Sequence, residues 1–379
     1  MSYTISDTHR IDTPQLDMPP RLLLGPGPSN AHPRVLQALG MRQVGHLDPT
    51  FVQRMDEIQE LLRYLFQTDN ELTLPVSGTG SAGMETAVAN IVEPGDVILV
   101  GCVGYFGLRI AEMAGRYGGD VRQIEKAWGE VFTLGELRAA LEEHRPAVLA
   151  LVQGETSTGV NQPLAGVGDL CHEYNCLLLV DTVASLGGVP FFTDAWSIDI
   201  VYSGSQKCIS CPPGLAPITF GPRAVEKLNN RKTKVANWYL DLTLLRQYWG
   251  PERKYHHTAP INMNYGLREA LRLIAEEGLE AMWARHKASA ELLWSGLAEL
   301  GLSGHVTPEH RLHSLTTVRV PDGVDPKAIT SRLLNEYNIE IANGLGQLAG
   351  KVWRVGLMGF NSRRENVLML LAALKAVLK

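Results

Sequence analysis

The chain has 379 residues, 45% of them apolar and 20% charged, and its 35 Lys and Arg against 40 Asp and Glu leave a net charge of −5. At roughly 150 residues per domain that length predicts two or three domains, with enough core to need no disulfide or metal staple. The acidic balance argues against a polyanion ligand, which usually requires a basic excess or stripe, and no apolar run reaches membrane-span length. The first twenty residues are polar and punctuated by proline, and read as an arm without a secretory h-region. The C-terminal AVLK carries neither a peroxisomal nor a prenylation signal. Five cysteines, an odd number, fit a reducing cytoplasm, so the expected location is cytoplasmic. Cys208 and Cys211 form one C-x-x-C, but no second pair or suitably spaced histidines follow, so they read as structural thiols.

The predicted elements then alternate. A helix comes first, with Phe51, Val52, Met55, Ile58, Leu62, Leu65 and Phe66 at helical spacing. Short apolar runs at 72–76, 97–101, 147–152, 177–180, 198–202 and 216–220 are candidate buried strands, and helical patterns lie between most of them. Thr133 and Glu136 have capping-box spacing and open a helix over 134–144. Near-continuous apolar strands alternating with helices predict an α/β fold with a mostly parallel sheet covered on both faces. Beyond about residue 260 the pattern changes. Long helices through 265–300 precede strands at 314–320, 338–342 and 352–357, and a final helix opens at a second expected capping box, Ser362 with Glu365. Its inner face holds Val367, Leu370, Leu371, Leu374 and Leu378. We therefore expect an arm over 1–21, a large domain over 22–276 and a smaller α+β domain over 277–379.

Three segments carry candidate chemistry. In SGTGSAGMETA (77–87), Gly78, Gly80 and Gly83 follow a strand and open a helix, an arrangement that aims backbone N–H groups at a phosphate. A dinucleotide site would need an acid at the end of the next strand, where Val100, Gly101 and Cys102 stand instead. A plain turn and a cradle for a smaller phosphorylated cofactor remain open. In LLLVDTVASLGG (177–188), Asp181 ends an apolar strand and is either a helix N-cap or a ligand-facing carboxylate. In IDIVYSGSQKCISCPPG (198–214), Lys207 stands in a small polar loop beyond the next strand. A phosphate cradle, a carboxylate and a lysine at one sheet edge match what pyridoxal phosphate needs: an imine-forming lysine, an anion for the pyridinium nitrogen and a helix end for the phosphate.

With those segments in view, the sequence resembles the class V aminotransferases of the fold-type I pyridoxal-phosphate enzymes, in their alanine–glyoxylate / serine–pyruvate branch. The resemblance runs from LLLGPGPSN (22–30) to KVWRVGLMGFNSRREN (351–366), and GETSTGVNQPL, LLLVDTVASLGG, YSGSQK, RKTK and YHHT carry it. It implies that Lys207 is the internal aldimine lysine and Asp181 the partner of the pyridine nitrogen. It implies a phosphate cradle of Thr79, Gly80 and Ser81 with Gln206, Ser81 replacing a histidine of some relatives. Thr156 falls near the cofactor's ring hydroxyl. Phe106 takes the place of an aromatic that stacks on the ring, a tryptophan in some members. Tyr255 and Thr258 would reach the phosphate of the other subunit of a homodimer. Arg354 would grip the substrate carboxylate, with Gly25 beside the substrate. Without the resemblance, Arg354 reads first as a surface ion pair, although the VWRVGL alternation puts Val352, Arg354 and Gly356 on one face. His256 and His257 have no further metal ligand at helical or hairpin spacing, so no metal is expected.

The implied activity is ping-pong transfer of an amino group from alanine, or serine, to glyoxylate, with serine as main donor the alternative. A cysteine desulfurase shares the class V fold but places a histidine before the lysine, where Gln206 stands here. A nicotinamide dehydrogenase rests on the glycines alone and lacks its ribose acid. No second arginine for a distal substrate carboxylate is identifiable.

Overall fold

Apolar strands can be buried on both faces only where helices cover the sheet, and the computed structural model, which describes residues 3–378, is built that way. Its strands in chain order are β1 (Leu22–Leu23), β2 (Leu72–Ser77), β3 (Val97–Cys102), β4 (Asp120–Glu125), β5 (Val148–Val152), β6 (Gly154–Glu155) and β7 (Val160–Asn161). They continue with β8 (Leu177–Asp181), β9 (Ile200–Tyr202), β10 (Leu215–Phe220), β11 (Leu315–Arg319), β12 (Ile339–Glu340), β13 (Ala342–Asn343) and β14 (Val352–Gly356). The main sheet runs β2-β10-β9-β8-β5-β3-β4. β10 is antiparallel to both its neighbours and every other pair is parallel. The six expected apolar strands are all present. β4 is the addition: it is an edge strand, DVRQIE, largely exposed, so it lacks the apolar run that marks a strand buried on both faces.

Register fixes where the functional groups emerge. Asp181, the last residue of β8, pairs with Val152 of β5 on one side and Tyr202 of β9 on the other. Three strands thus end at one level, and the loops beyond them share one edge of the sheet.

The helices follow their local signals where those signals stay local. Pro49–Phe66 is capped by Asp48 and buries Phe51, Met55, Ile58, Leu62, Leu65 and Phe66. Leu134–His144 opens at the expected capping box, with both reciprocal bonds of Thr133 and Glu136 formed. The second expected box, Ser362 with Glu365, does not form. The last helix spans Arg364–Val377 with Arg363 at its N-cap. Ser362 ends the preceding short turn, where its N–H donates to the Gly359 carbonyl and its own carbonyl accepts from Arg285. Its hydroxyl is buried without a partner, one residue too early to cap the helix.

The smaller layer is an antiparallel sheet, β11-β14-β13. Its core gathers Leu293, Leu297, Trp353, Val355, Leu370 and Leu374. Leu24 belongs to the same cluster, and β1 pairs in parallel with β12. The opening of the segment expected in the large domain, 22–24, therefore packs on the smaller layer. Helices Ile261–Glu277 and Leu279–Glu299 break at Gly278. The second straddles both cores: Leu279 and Met282 lie in the larger, Leu293 and Leu297 in the smaller. Residues 3–20 are exposed and without helix or strand.

Candidate active site

Asp181 is 2% exposed. No helix follows it, so it is not a helix N-cap. One carboxylate oxygen accepts the Val183 N–H at 2.7 Å and the other accepts the Tyr202 hydroxyl at 2.7 Å. Burial pushes the carboxyl up to about 6, against the opposing pull of those two donors and of the Lys207 and Arg109 charges. Tyr202 was not singled out in the sequence. Its register opposite Asp181 gives it this role, and register is invisible until the strands are paired.

Lys207 lies in the loop beyond β9. Its amine donates to the Pro26 carbonyl. Gly27, at φ +104°, leaves the space the side chain occupies: a Cβ there would lie 2.5 Å from Nζ and 2.6 Å from Cδ. Burial lowers the amine to about 8, and nearby Arg354 pulls the same way.

The glycine loop closes against the lysine loop. Gly80 begins the helix Gly80–Ile91, with Thr79 at the N-cap making no side-chain capping bond. Among the described residues, the backbone N–H groups of Thr79, Gly80 and Ser81 have no acceptor. A Cβ on Gly80 would meet Val183 at 3.1 Å and the Gly204 Cα at 3.7 Å, and one on Gly204 would meet Gln206 Oε1 at 2.8 Å. That same Oε1 is buried without a partner. Thr79 and Ser81 remain open to solvent. Free N–H groups at a positive helix end, beside an unpaired amide, suit a phosphate. These residues therefore fit the phosphorylated cofactor the sequence implies.

Phe106 is half-buried in the first turn of the helix Tyr105–Arg116. The Arg109 guanidinium sits 4.9 Å from its ring centroid and 3.5 Å from the Ser81 hydroxyl. Arg109 is a cation on the cradle side that sequence reading missed. Thr156 is buried next to Glu155 and makes no side-chain hydrogen bond among the described residues.

Arg354 lies on β14, opposite Thr317 of β11 and Ala342 of β13. Its Nε donates to the Asn343 carbonyl at 2.9 Å. No carboxylate stands within ion-pair range among the described residues, so the surface ion pair is not formed and the forked end is free. Burial lowers the guanidinium, partly offset by Glu155. Gly25 runs beside this strand: the Gly356 N–H donates to the Leu24 carbonyl at 2.8 Å, and a Cβ on Gly356 would overlap the Gly25 carbonyl. Residues 24–27 thus strap the arginine strand to the lysine.

Tyr255, 57% exposed, and Thr258 stand on a surface loop and, among the described residues, make no hydrogen bond to the cradle. The histidines between them turn inward. His256 stacks on Trp238 at 4.4 Å. Its Nε2 donates to the Trp238 carbonyl, so its Nδ1 accepts from His257 Nδ1 at 2.9 Å, and His257 Nε2 accepts the Ser77 hydroxyl at 2.7 Å. Burial lowers both imidazoles, His257 to about 4. The pair ties the exposed loop to the strand end that precedes the cradle.

Comparison with known proteins gives the family. The model of class-V aminotransferases matches residues 28–368. A crystal structure of alanine–glyoxylate aminotransferase from Nostoc sp. is 64% identical, covers 100% of both chains and superposes with a TM-score of 0.99. The alanine–glyoxylate aminotransferase of Rattus norvegicus is 50% identical over 96% of this chain and 89% of its own. The (S)-ureidoglycine–glyoxylate transaminase of Bacillus subtilis is 39% identical over 96% of this chain and 92% of its own. With this match added to the lysine, carboxylate and open helix end at one sheet edge, the chain belongs to the class-V aminotransferase family.

Proposed function

We propose that this aminotransferase moves the amino group of alanine to glyoxylate, giving pyruvate and glycine, with pyridoxal 5'-phosphate as cofactor. The observation that carries the reading is the pairing of Lys207 with the free fork of Arg354 through the strap 24–27. Lys207 is the covalent anchor, Asp181 the anion for the ring nitrogen, and Thr79, Gly80, Ser81 and Gln206 the phosphate cradle. Phe106 packs on the ring and Thr156 stands near its hydroxyl. Bound pyridoxal phosphate supplies an electron sink for the pair left on the substrate Cα when its proton departs.

The chain's own groups do the rest. Arg354 holds the substrate carboxylate in a planar bidentate grip, with the Gly25 backbone alongside. Burial holds the Lys207 amine at about 8, which leaves a usable share of it unprotonated, so Nζ takes the Cα proton and returns it as an acid. Tyr202 holds Asp181 in line. The same groups serve both half-reactions of a ping-pong cycle. Tyr255 and Thr258, exposed here, complete the phosphate site of a partner in a homodimer.

Arg354 meets one carboxylate, and Arg109 stands at the cradle, 3.5 Å from the Ser81 hydroxyl. An acidic donor would leave its second carboxylate unpaired. Serine adds only a hydroxyl to alanine, and a pocket with room separates such pairs by roughly 100-fold at most. Specificity constants for alanine, serine, aspartate and glutamate against glyoxylate test the reading. Alanine should lead, with serine second, and a preference for either acidic donor would overturn it.

A further inference from the structure

We infer that Glu155 is a positioning residue: its buried carboxylate fixes the start of the helix Tyr105–Arg116 and thereby holds the Phe106 ring against the cofactor. This rests on the reading of Phe106 as the ring-packing residue.

Glu155 is 0% exposed. A carboxylate in that setting is costly unless donors surround it. Among the described residues, no cation touches it. Instead Oε2 accepts the Phe106 N–H at 3.0 Å, and Oε1 accepts the Ser157 N–H at 3.0 Å and the Ser157 hydroxyl at 2.6 Å. The Ser157 oxygen in turn accepts the Tyr105 N–H at 2.9 Å. Two of the four orphan N–H groups at the helix start are thus satisfied from a distant turn, one directly and one through a hydroxyl.

The helix has no cap of its own. Gly104 stands at the N-cap position and offers no side chain. A Cβ there would overlap the Glu155 side chain, so the glycine is what admits the carboxylate. A serine or aspartate at the N-cap position is the usual way to satisfy such N–H groups, but Gly104 is buried against Glu155 and Ser157, which take that part instead. The buried route adds a connection. Glu155 and Thr156 follow β5, whose Val152 is paired with Asp181, and the Gln153 N–H donates to the Asp181 carbonyl at 2.9 Å. Phe106 is therefore referenced to the strand end that bears the ring-nitrogen anion. A cap at Gly104 would reference it to its own helix alone.

Glu155→Gln keeps the shape but turns an NH₂ toward donors. The test is a double-mutant cycle on the dissociation constant of pyridoxal phosphate, titrated into apo-protein by visible absorbance. Phe106→Ala, Glu155→Gln and the double variant are compared, with apo thermal unfolding followed alongside. Phe106→Ala should weaken binding roughly tenfold, the scale of one aromatic stacking contact, and Glu155→Gln should weaken it by no more than that. The double should be no weaker than Phe106→Ala, because Glu155 acts through that ring. The lowered unfolding temperature of Glu155→Gln should persist in both backgrounds. Multiplying losses, or wild-type affinity in Glu155→Gln, would overturn the inference while leaving Phe106 its role. Wild-type affinity in Phe106→Ala would overturn the underlying reading instead. Should Glu155→Gln fail to fold, Ser157→Ala removes only the relay to Tyr105, and the same cycle with Phe106→Ala decides.

Discussion

Replacing Asp181 by asparagine should stabilise the apo-protein while disabling the enzyme. The side chain is buried and takes two hydrogen bonds, from the Val183 N–H and the Tyr202 hydroxyl. An asparagine oxygen still accepts from Val183, and the Tyr202 hydroxyl can rotate to accept from the new NH₂. What disappears is a buried charge. The carboxyl rises from 3.8 to about 6 on folding, which corresponds to about 3 kcal/mol. The sign follows from proton binding: between those values the native state holds a proton the unfolded chain has released, so stability falls as pH rises through the interval. Above pH 6 the wild type carries the whole penalty and the variant none. Allowing about 1 kcal/mol for a weaker hydrogen bond, the variant should gain 1–3 kcal/mol at pH 7.5, and the gain should shrink below pH 6 and nearly vanish by about pH 4. Urea unfolding of the two apo-proteins at pH 7.5 and 4.5 measures this directly. Turnover should meanwhile fall by orders of magnitude, since no anion remains for the ring nitrogen. A variant that is less stable at pH 7.5, or whose stability difference ignores pH, refutes the burial argument. One with near-wild-type turnover refutes the assigned role.

Three further outcomes follow from the same geometry. Lys207→Ala should lose the visible cofactor band and transamination with its circular dichroism intact; a borohydride-reducible adduct surviving in the variant counts against the assignment. Arg354→Lys should raise the Michaelis constants of alanine and serine together, because an ammonium cannot reproduce the fork that Asn343 holds in place; unchanged constants would place the carboxylate grip elsewhere. If Tyr255 and Thr258 complete a partner's phosphate site, dilution should release cofactor and added pyridoxal phosphate should favour the dimer in sedimentation; a monomer with tight cofactor binding contradicts this.

How far the sequence reveals such a site depends on whether each signal is local. Strands buried on both faces advertise themselves as apolar runs, and Asp181 and Lys207 stand out because each follows such a run. β4 escaped because an exposed edge strand has no such run. Thr133 and Glu136 cap as expected because their partners lie within one turn. Ser362 fails the same rule because Gly359 and Arg285 claim its backbone from outside that turn. Tyr202, Glu155 and the His257–Ser77 bond owe their roles to register and distant packing, and no spacing rule shows those. The strap is the same kind of case: Leu24 packs in the smaller core while Pro26 holds the lysine of the larger layer, and no local spacing marks either contact.

That strap separates two neighbouring glycines by what each must accommodate. Gly27 sits at φ +104°, where a side chain costs about 1–2 kcal/mol of backbone strain, and its Cβ would lie 2.5 Å from Lys207 Nζ. The lysine is flexible and would move rather than unfold the chain, so Gly27→Ala should keep its fold, lose a few degrees of thermal stability, and show a weaker cofactor band and a lower kcat. Gly25 has no positive φ, and a Cβ there meets only the Ala342 nitrogen and Glu340 oxygen, at an ordinary 3.9 Å. Gly25→Ala should therefore unfold at the wild-type temperature. If its backbone flanks the substrate held by Arg354, the added methyl should raise the Michaelis constant for alanine and raise that for serine further, while the cofactor band stays unchanged. Measured together, the pair resolves the strap into a lysine-facing half and a substrate-facing half. Equal losses of cofactor band in both variants would mean that residues 24–27 move as one rigid unit and that Gly25 has no separate place beside the substrate.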